Sequence, residues 1–384
     1  MASVTERVAS CTKEELPELK RGSTAQAFRY HDLKPDAKEL RGLEHLTELR
    51  ALKVDGGWRR WTTLELVDAG IDCGYDKADP RVLSSTTVLR VAKNCPRLEE
   101  LVLDGLPLVD NACMQAVGQM PDLKILRLGW ADTGINRRGI EAMGVCPGLR
   151  ELVLYADGAI RSETECWVDH KAFECIADQF PNLTCLRRHL CCLGRGTLNA
   201  FNDGFKHLQR LKSLTHLALR CTSVNDSGLA HIAKIESLQS LDLSCNSLNP
   251  ERPLYITPAG MRHVAKLPRL LDLDLGQWSY FSSDFLDAFV VRCTEGGFTL
   301  SRLLLEHSLT NLHTRYKMGG HKPADTANLL ALMAAGVIIE GSTDQVKWLK
   351  RLAELDGNMD YSDEEVVRNV RARVMFPGFA EQFS

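Results

Sequence analysis

The sequence predicts an α/β fold: a curved solenoid of repeats, with parallel strands on its concave face, helices on its convex face and a helical cap at its C-terminal end. Three observations predict this fold. A leucine pattern, L-x-x-L-x-L, recurs along the chain at intervals of about 24 to 34 residues. A segment with apolar residues at helical spacing follows most copies. A proline commonly separates that segment from the next copy of the pattern.

The leucine pattern marks a short strand in each repeat. Its most complete copy is SLQSLDLSCNSLN, from Ser237 to Asn249. Because side chains alternate between the two faces of a strand, the leucines point to one side and the residues between them to the other. Other well-formed copies are LEELVL from Leu98, LKILRL from Leu123, LRELVL from Leu149, LTHLAL from Leu214, LLDLDL from Leu270 and LSRLLL from Leu300. Less regular copies are LTCLRR from Leu183, LRALKV from Leu49 and WTTLEL from Trp61.

The segments between the strands predict helices with defined starts. VDNACMQAV, INRRGIEAM, VNDSGLAHIA and ITPAGMRHVA share an apolar residue, a polar cap, a small residue and then apolar residues at helical spacing. The predicted N-caps, whose side chains can accept from free backbone N–H groups, are Asp110, Asn136, Asp226 and Thr257. Proline then stops the helix before the next strand, at Pro96, Pro121, Pro147, Pro181 and Pro268.

In these strand and helix patterns the chain resembles the leucine-rich repeat family, over roughly residues 46 to 308. It is most similar to the helix-bearing, cysteine-containing subtype, as in repeat regions of F-box proteins and some bacterial effectors. The resemblance implies stacked repeats that share one core, because a single repeat cannot bury its own leucines. A continuous asparagine ladder is interrupted, since the ninth core position is asparagine only at Asn246. Elsewhere it is Leu106, Ala131, Asp157, Cys191, Thr222, Trp278 or Ser308.

The two flanks are predicted to cover the ends of the repeat array. Residues 1–45 carry no clear repeat and are expected to form an N-terminal cap. Residues 309–384 are expected to form three helices, over 329–335, 346–355 and 366–374. These helices are interpreted as a C-terminal cap, with a small helical module that has its own partner as the alternative.

Composition and charge narrow the class of protein. Hydrophobic residues make up 44% of the chain and charged residues 25%, which is typical of a globular protein in water. The formal net charge of −3 gives no general attraction for nucleic acid or anionic membranes. No stretch has the apolar character of a signal peptide or of a membrane span. The odd number of cysteines, 13, favours reduced thiols, so we expect a cytoplasmic or nuclear protein.

The sequence contains no motif for catalysis or nucleotide binding, so no catalytic residue and no cofactor are predicted. One cluster has the residue types of a zinc site: Cys185, His189, Cys191, Cys192 and His207, with Cys166, His170 and Cys175 upstream. Its spacing matches no known zinc module, and the resembling repeat subtype buries cysteine as a small hydrophobic residue. We therefore predict no metal.

The strand face that points away from the leucines is the predicted partner-binding surface. Its third, fifth and seventh core positions include a group of basic residues and, further along the chain, a group of aspartates. With strands about 4.8 Å apart, both groups would fall within roughly 30 Å, which one protein partner can cover. Aromatic residues just beyond the strands are interpreted as either interface or core. The predicted partner-binding residues are Arg127, Trp130, Tyr155, Arg187, His189, His216, Arg220, Asp242, Asp272, Asp274 and Trp278.

The predicted function is therefore a non-enzymatic scaffold or recognition subunit that binds a protein partner, with no nucleic acid, membrane or small-molecule substrate expected. Two alternatives remain open. One is the substrate-recognition subunit of a ubiquitin ligase, which would need a ligase-binding element in a flank. The other is a GTPase activator resembling the Ran GTPase activator, which would need a reactive arginine on a loop. Arg137, Arg138 and Arg195 are the candidates for that arginine.

Overall fold

The structure is a computed structural model, and it describes residues 10–11, 27–30, 50–55, 89, 92–104, 111–129, 137–156, 170–190, 202–220, 224–244, 256–276, 278, 283–294, 300–305, 324–341 and 347. The chain forms two compact units, Met1–Gly194 and Arg195–Ser384. Within these described ranges, none of the helices combines the length and the apolar character needed to cross a bilayer.

The first unit contains seven described strands, each parallel to the next in chain order. They are β1 (Ser10–Cys11), β2 (Ala27–Tyr30), β3 (Ala51–Asp55), β4 (Glu100–Asp104), β5 (Ile125–Gly129), β6 (Glu151–Ala156) and β7 (Cys185–Leu190). Its described helices connect consecutive strands. They are α1 (Asn111–Gly118), α2 (Arg137–Met143) and α3 (His170–Gln179).

The second unit continues the same alternation with five described strands in parallel pairing. They are β8 (His216–Arg220), β9 (Ser240–Asp242), β10 (Asp272–Asp274), β11 (Arg302–Leu304) and β12 (Ile338–Glu340). Its described helices are a 3₁₀ helix (Phe205–Arg210), α4 (Asp226–Ile232), α5 (Pro258–Val264), a second 3₁₀ helix (Ser283–Leu286), α6 (Asp287–Thr294) and α7 (Ala324–Ala334).

The leucines of the repeated pattern form the core between strands and helices. Within each unit, the leucine at the fourth position of the pattern lies beside its equivalent on the neighbouring strand. It is at most 1% exposed, at Leu101, Leu126, Leu152 and Leu186 in the first unit and at Leu217, Leu241, Leu273 and Leu303 in the second. Burying one leucine side chain stabilises the folded state by about 1.5–3 kcal/mol relative to leaving it in water. The predicted fold class, a solenoid of parallel strands and helices in leucine-rich repeats, is therefore confirmed.

In several strand pairs, a single backbone carbonyl accepts from two N–H groups of the next strand where the pairing begins. The carbonyl of Glu99 accepts from the N–H groups of Lys124 at 2.8 Å and Ile125 at 3.0 Å. In the second unit, the carbonyl of Thr215 accepts from Gln239 at 2.8 Å and Ser240 at 2.9 Å. This shared acceptor sets the register, because it fixes which residue of each repeat lies beside which residue of the next.

The prolines between helix and strand lie in a tight turn. The N–H of Leu98 donates to the carbonyl of Cys95 at 3.2 Å, and that of Leu149 donates to Cys146 at 3.2 Å. Pro96 follows the first acceptor, where its fixed φ suits the second residue of a turn and its missing N–H costs nothing. The proline therefore ends the helical segment and delivers the first leucine of the next strand to the core.

The structure corrects one predicted N-cap. Thr257 caps α5 as expected, since its hydroxyl accepts from Ala259 N–H at 3.1 Å. For α4, however, the N-cap is Asn225, whose side chain accepts from Gly228 N–H at 3.0 Å. Asp226 is the first residue of the helix itself. The predicted caps Asp110 and Asn136 lie outside the described residues.

Asp226 instead links its repeat to the next one. Its Oδ1 accepts from the backbone N–H of Thr257 at 2.8 Å, and its Oδ2 accepts from the Thr257 hydroxyl at 2.6 Å. Asn202 does the same one repeat earlier, where its Oδ1 accepts from Asn225 N–H at 2.9 Å. The small residue in the repeat pattern makes room for this contact. A Cβ added to Gly260 would lie 2.1 Å from Asp226 Oδ1.

Each flank adds at least one strand to the sheet of its own unit. β1 and β2 lie within residues 1–45, and β2 pairs with β3. In the C-terminal flank, α7 overlaps the first expected helix, but β12 then pairs in parallel with β11. Residues Ile338 to Glu340, between the first and second expected helices, therefore add a strand that the sequence did not predict. Apart from Lys347, the helices expected over 346–355 and 366–374 lie outside the described residues.

Candidate protein-interaction surface

The face of each sheet that points away from the helices carries the polar positions of the strands. We call it the strand face. In the second unit, exposed or half-buried residues alternate with buried leucines along β8, β9, β10 and β11. The alternation expected from the sequence is therefore present there. Register places Asp242 beside Asp274, and Asp272 beside Arg302.

In the first unit the strand face carries an ion pair between neighbouring strands. Arg127 Nε donates to Glu151 Oε1 at 2.8 Å. Val153 lies between Arg127 and Arg187 in the register and is fully buried, although its position faces outward. The methylene chains of the two arginines are long enough to cover it. Arg187 is exposed.

Cys185 occupies the third core position of β7, next to these arginines. Its side chain is only 8% exposed. Burial raises the pKa of the Cys185 thiol, and the hydrogen bond with Arg187 partly opposes that rise. A buried, protonated thiol is a poor nucleophile and a poor metal ligand. The residue therefore behaves as part of the packing beneath the strand face.

In the second unit Arg220 bridges two aspartates that lie side by side. Its Nε is 2.5 Å from Asp242 Oδ2, and its Nη2 is 3.6 Å from Asp274 Oδ2. Asp242 Oδ1 accepts from the N–H and the hydroxyl of Ser244, at 2.9 and 2.7 Å. Asp274 Oδ1 accepts from Gly276 N–H at 2.8 Å. Like charges on neighbouring strands repel each other, and the guanidinium offsets that repulsion.

A second ion-pair group lies on the following strands. Arg302 Nε donates to Asp272 Oδ1 at 2.9 Å, and Arg302 Nη1 is 3.7 Å from Glu340 Oε1. Ile338, beside Arg302 in the register, is 61% exposed. The sequence did not indicate Glu340 as a surface residue, because residues 338–340 are too few to show the leucine pattern.

These contacts change the predicted distribution of charge. The sequence predicted a group of basic residues separate from the aspartates on this face, yet Arg220 pairs with Asp242 and Asp274. Arg127 likewise pairs with Glu151. The strand face therefore carries paired opposite charges within each unit, and the exposed His216 lies on the same face in the second unit. These ion pairs could have been found in the sequence, because the opposite charges lie on neighbouring strands two residues apart in the register.

Trp278 belongs to the core, and its assignment to the partner-binding surface is wrong. The side chain is 1% exposed, and its Nε1 donates to the carbonyl of Leu243 at 2.9 Å. Its ring also packs edge-on against Phe285, with ring centroids 5.3 Å apart. Trp130 lies outside the described residues, and only the backbone of Tyr155 and His189 is described.

The residues considered for a zinc site and for a GTPase activator do not form a site in the described part of the chain. His170 and Cys175 lie on α3, and Cys175 Sγ is 3.7 Å from Glu141 Oε1. Among the described residues, no three His, Cys, Asp or Glu side chains lie together as metal ligands. Cys166, Cys191 and Cys192 are outside that part of the chain. Arg137 and Arg138, the loop candidates for a GTPase activator, begin α2, and Arg137 pairs with Glu141 at 3.4 Å.

The similarity of this chain to known proteins consists of distant structural alignments. No family model matches the chain, and no curated protein matches it. It aligns with an internalin from Listeria monocytogenes at 13% identity, over 88% of this chain and 84% of that one, with a TM-score of 0.38. It aligns with the leucine-rich repeat-containing protein LegL7 from Legionella pneumophila at 14% identity, over 91% and 95%, with a TM-score of 0.41. It aligns with a chain of the yeast Rad7 and Elc1 complex at 14% identity, over 78% of this chain and 79% of that one, with a TM-score of 0.36.

Proposed function

We propose that this protein is a non-enzymatic interaction scaffold that binds a protein partner on its strand face. In that role it would serve as an adaptor, a recognition subunit or a fixed part of a complex. The proposed contact residues on described strands include Arg127 and Arg187 in the first unit. In the second unit they are His216, Arg220, Asp242, Asp272 and Asp274.

The observation that carries the proposal is the ordered pattern of charge on the strand face. Arg127, Arg220 and Arg302 have side chains that are 39%, 43% and 44% exposed, yet each is held by a carboxylate of another strand. These side chains lose little conformational entropy when a partner binds, because the ion pairs already hold them in position. Polar groups held in this way favour specific recognition over general adhesion.

The repeats themselves support assignment to the helix-bearing, cysteine-containing subtype. Described strands are followed by helices, and Cys95 and Cys146 occupy the position that closes the turn before a strand. Cys95, Cys113 and Cys185 are buried free thiols, and reduced thiols support a cytoplasmic or nuclear location.

Affinity capture with strand-face variants tests the proposal. The double variant Asp272→Arg, Arg302→Asp exchanges the positive and the negative side chain, so an ion pair can still form but each strand presents the opposite charge. Arg187→Glu changes an exposed side chain of the first unit. We expect these variants to lose a partner that the unaltered protein retains, identified by mass spectrometry, while the melting temperature stays within about 2 °C.

The matched control is Lys171→Glu, an exposed helical residue of α3 outside the strand face. It should retain the partner. If the strand-face variants retain every captured protein, and deletion of a flank removes them, the strand face is not the binding surface.

A further inference from the structure

The second unit carries a row of basic residues where three consecutive helical segments end. Arg210, Lys234 and Lys266 occupy the same place in their repeats. Each precedes a buried residue whose N–H donates to the carbonyl three residues earlier. These bonds are Leu211 to Leu208 at 3.0 Å, Ile235 to Ile232 at 2.9 Å and Leu267 to Val264 at 3.0 Å.

Two further cations lie in the turns that follow, Lys212 and Arg269. We call the five residues Arg210, Lys212, Lys234, Lys266 and Arg269 the basic edge. All five are exposed, and Glu236 is the exposed acidic residue among these turns. Lys234, Lys266 and Arg269 have no ion-pair partner among the residues that the structure describes.

The residues of the basic edge are neighbours in space. The 3₁₀ helix, α4 and α5 pack against one another in chain order. Gln209 Nε2 donates to the carbonyl of His231 at 3.4 Å, which joins the ends of the first two segments directly. Packed helices have axes about 8–10 Å apart. The helix ends that carry Arg210, Lys234 and Lys266 are therefore about 8–10 Å apart from one repeat to the next.

The helix dipole alone does not account for this row. Cations are favoured near every helix C-terminus, in both units alike. The equivalent positions of the first unit precede Cys95, Met120, Cys146 and Phe180, and none of them is charged. They are Asn94, Gln119, Val145 and Gln179. Val145 is 70% exposed, so exposure does not require a charge there.

We propose that the basic edge binds an acidic segment of a protein partner. This surface lies at the helix ends and is separate from the strand face. A spacing of about 10 Å matches acidic residues seven apart on a helix, since seven residues rise about 10.5 Å. Nucleic acid is the less suitable partner, because its charges are much denser, one per about 1.7 Å of duplex. The acidic side chains of the same unit's strand face would also repel a long polyanion.

Fluorescence anisotropy with the full-length chain tests this inference. The probe is a labelled alanine-rich helical peptide with glutamate at every seventh position, in about 0.15 M salt. The triple variant Lys234→Gln, Lys266→Gln, Arg269→Gln should weaken peptide binding about tenfold, as the sum of three exposed charge pairs. The matched triple variant Lys93→Gln, Arg138→Gln, Lys171→Gln removes as many cations from the first unit and should bind normally.

Three results would overturn the inference: no binding of the peptide to the unaltered protein, equal weakening by both triple variants, or tighter binding of a single-stranded oligonucleotide of equal charge. Strand-face variants such as Arg187→Glu should leave peptide binding unchanged. A failure of the basic edge is therefore distinguishable from a failure of the proposed strand-face function.

Discussion

Asp226 and Thr257 are joined by two hydrogen bonds although they belong to different repeats. The carboxylate accepts from both the backbone N–H and the hydroxyl of Thr257, at 2.8 and 2.6 Å. Thr257 in turn caps α5. The first helical residue of one repeat thus orients the helix start of the next, which couples the stability of neighbouring repeats.

Replacing that carboxylate should destabilise the second unit. Asp226→Ala removes both acceptors and leaves the Thr257 N–H without its partner, so we expect a loss of about 1–2 kcal/mol in the free energy of unfolding. Urea denaturation measures it. The neighbouring exposed change Ser227→Ala should stay within about 0.5 kcal/mol. Equal effects of the two changes would mean that the bridge contributes nothing specific.

A methyl group at Gly260 should conflict with the same carboxylate. The added Cβ would lie 2.1 Å from Asp226 Oδ1, so Gly260→Ala should cost about 1–3 kcal/mol. The cost should fall in an Asp226→Ala background, because the obstructing oxygen is gone.

Gly144→Ala serves as the comparison for this double-mutant cycle. No atom lies within 4 Å of the added Cβ there, but φ is 69°. The substitution should therefore lower the free energy of unfolding by about 1 kcal/mol, because alanine is strained at this positive φ. That cost should be the same in both backgrounds. A Gly260→Ala cost that does not depend on residue 226 would contradict the steric explanation.

The buried thiol of Cys95 should make stability depend on alkaline pH. Burial raises its pKa from 9.0 to about 11. The unfolded chain therefore loses this proton first as pH rises, so stability is complete below about pH 9 and falls between pH 9 and 11. At pH 10 the loss is about 1.4 kcal/mol.

Comparison with Cys95→Ala isolates this contribution from that of other titrating groups. The variant should show a smaller loss of unfolding free energy between pH 8 and pH 10. Thiol labelling gives a second readout, since Cys95 should react slowly in the native protein and rapidly after denaturation. Half-buried Cys146, whose Sγ is 3.4 Å from the carbonyl of Gly118, should react at an intermediate rate. Rapid native labelling of Cys95 would show that the repeat register is wrong.

Removal of the chain after Leu309 should destabilise the second unit, because β12 covers the edge of β11. The N–H of Leu305 donates to the backbone carbonyl of Glu340 at 2.9 Å. Leu303 and Leu305 are fully buried. Uncovering them costs about 25 cal/mol per Å² of apolar surface. Truncation after Gly341, which keeps β12, should lower the melting temperature less. A monomeric protein with an unchanged melting temperature after the shorter truncation would favour an independent C-terminal module.

The strand core could be predicted because leucine periodicity and burial express the same physical requirement. Leu126, Leu241 and Leu273 all point inward as the pattern requires. Trp278 could not be predicted in this way, since the alternation rule ends with the strand and the indole turns inward to the carbonyl of Leu243. β12 was missed because Ile338 to Glu340 are too few residues to show the leucine pattern.

The candidate surface was predictable in position but not in its pairing. Register follows from the repeats, so the sequence places Arg220, Asp242 and Asp274 on one face. Which carboxylate an arginine reaches depends on side-chain rotamers and on local acceptors such as the Ser244 N–H. The role of Asp226 was missed for a similar reason. An aspartate near a helix start fits a cap, and only the position of the next repeat shows that Thr257 is its partner.

The pairing of each strand with strands of adjacent repeats also affects how the chain folds. Within each unit, the contacts that define the sheet join residues about one repeat apart, so few of them require closure of a long loop. Folding can then start in whichever repeat forms its turn and strand first and spread outward to its neighbours. The same locality leaves the terminal repeats as the places where unfolding begins, since each of them is held from one side alone.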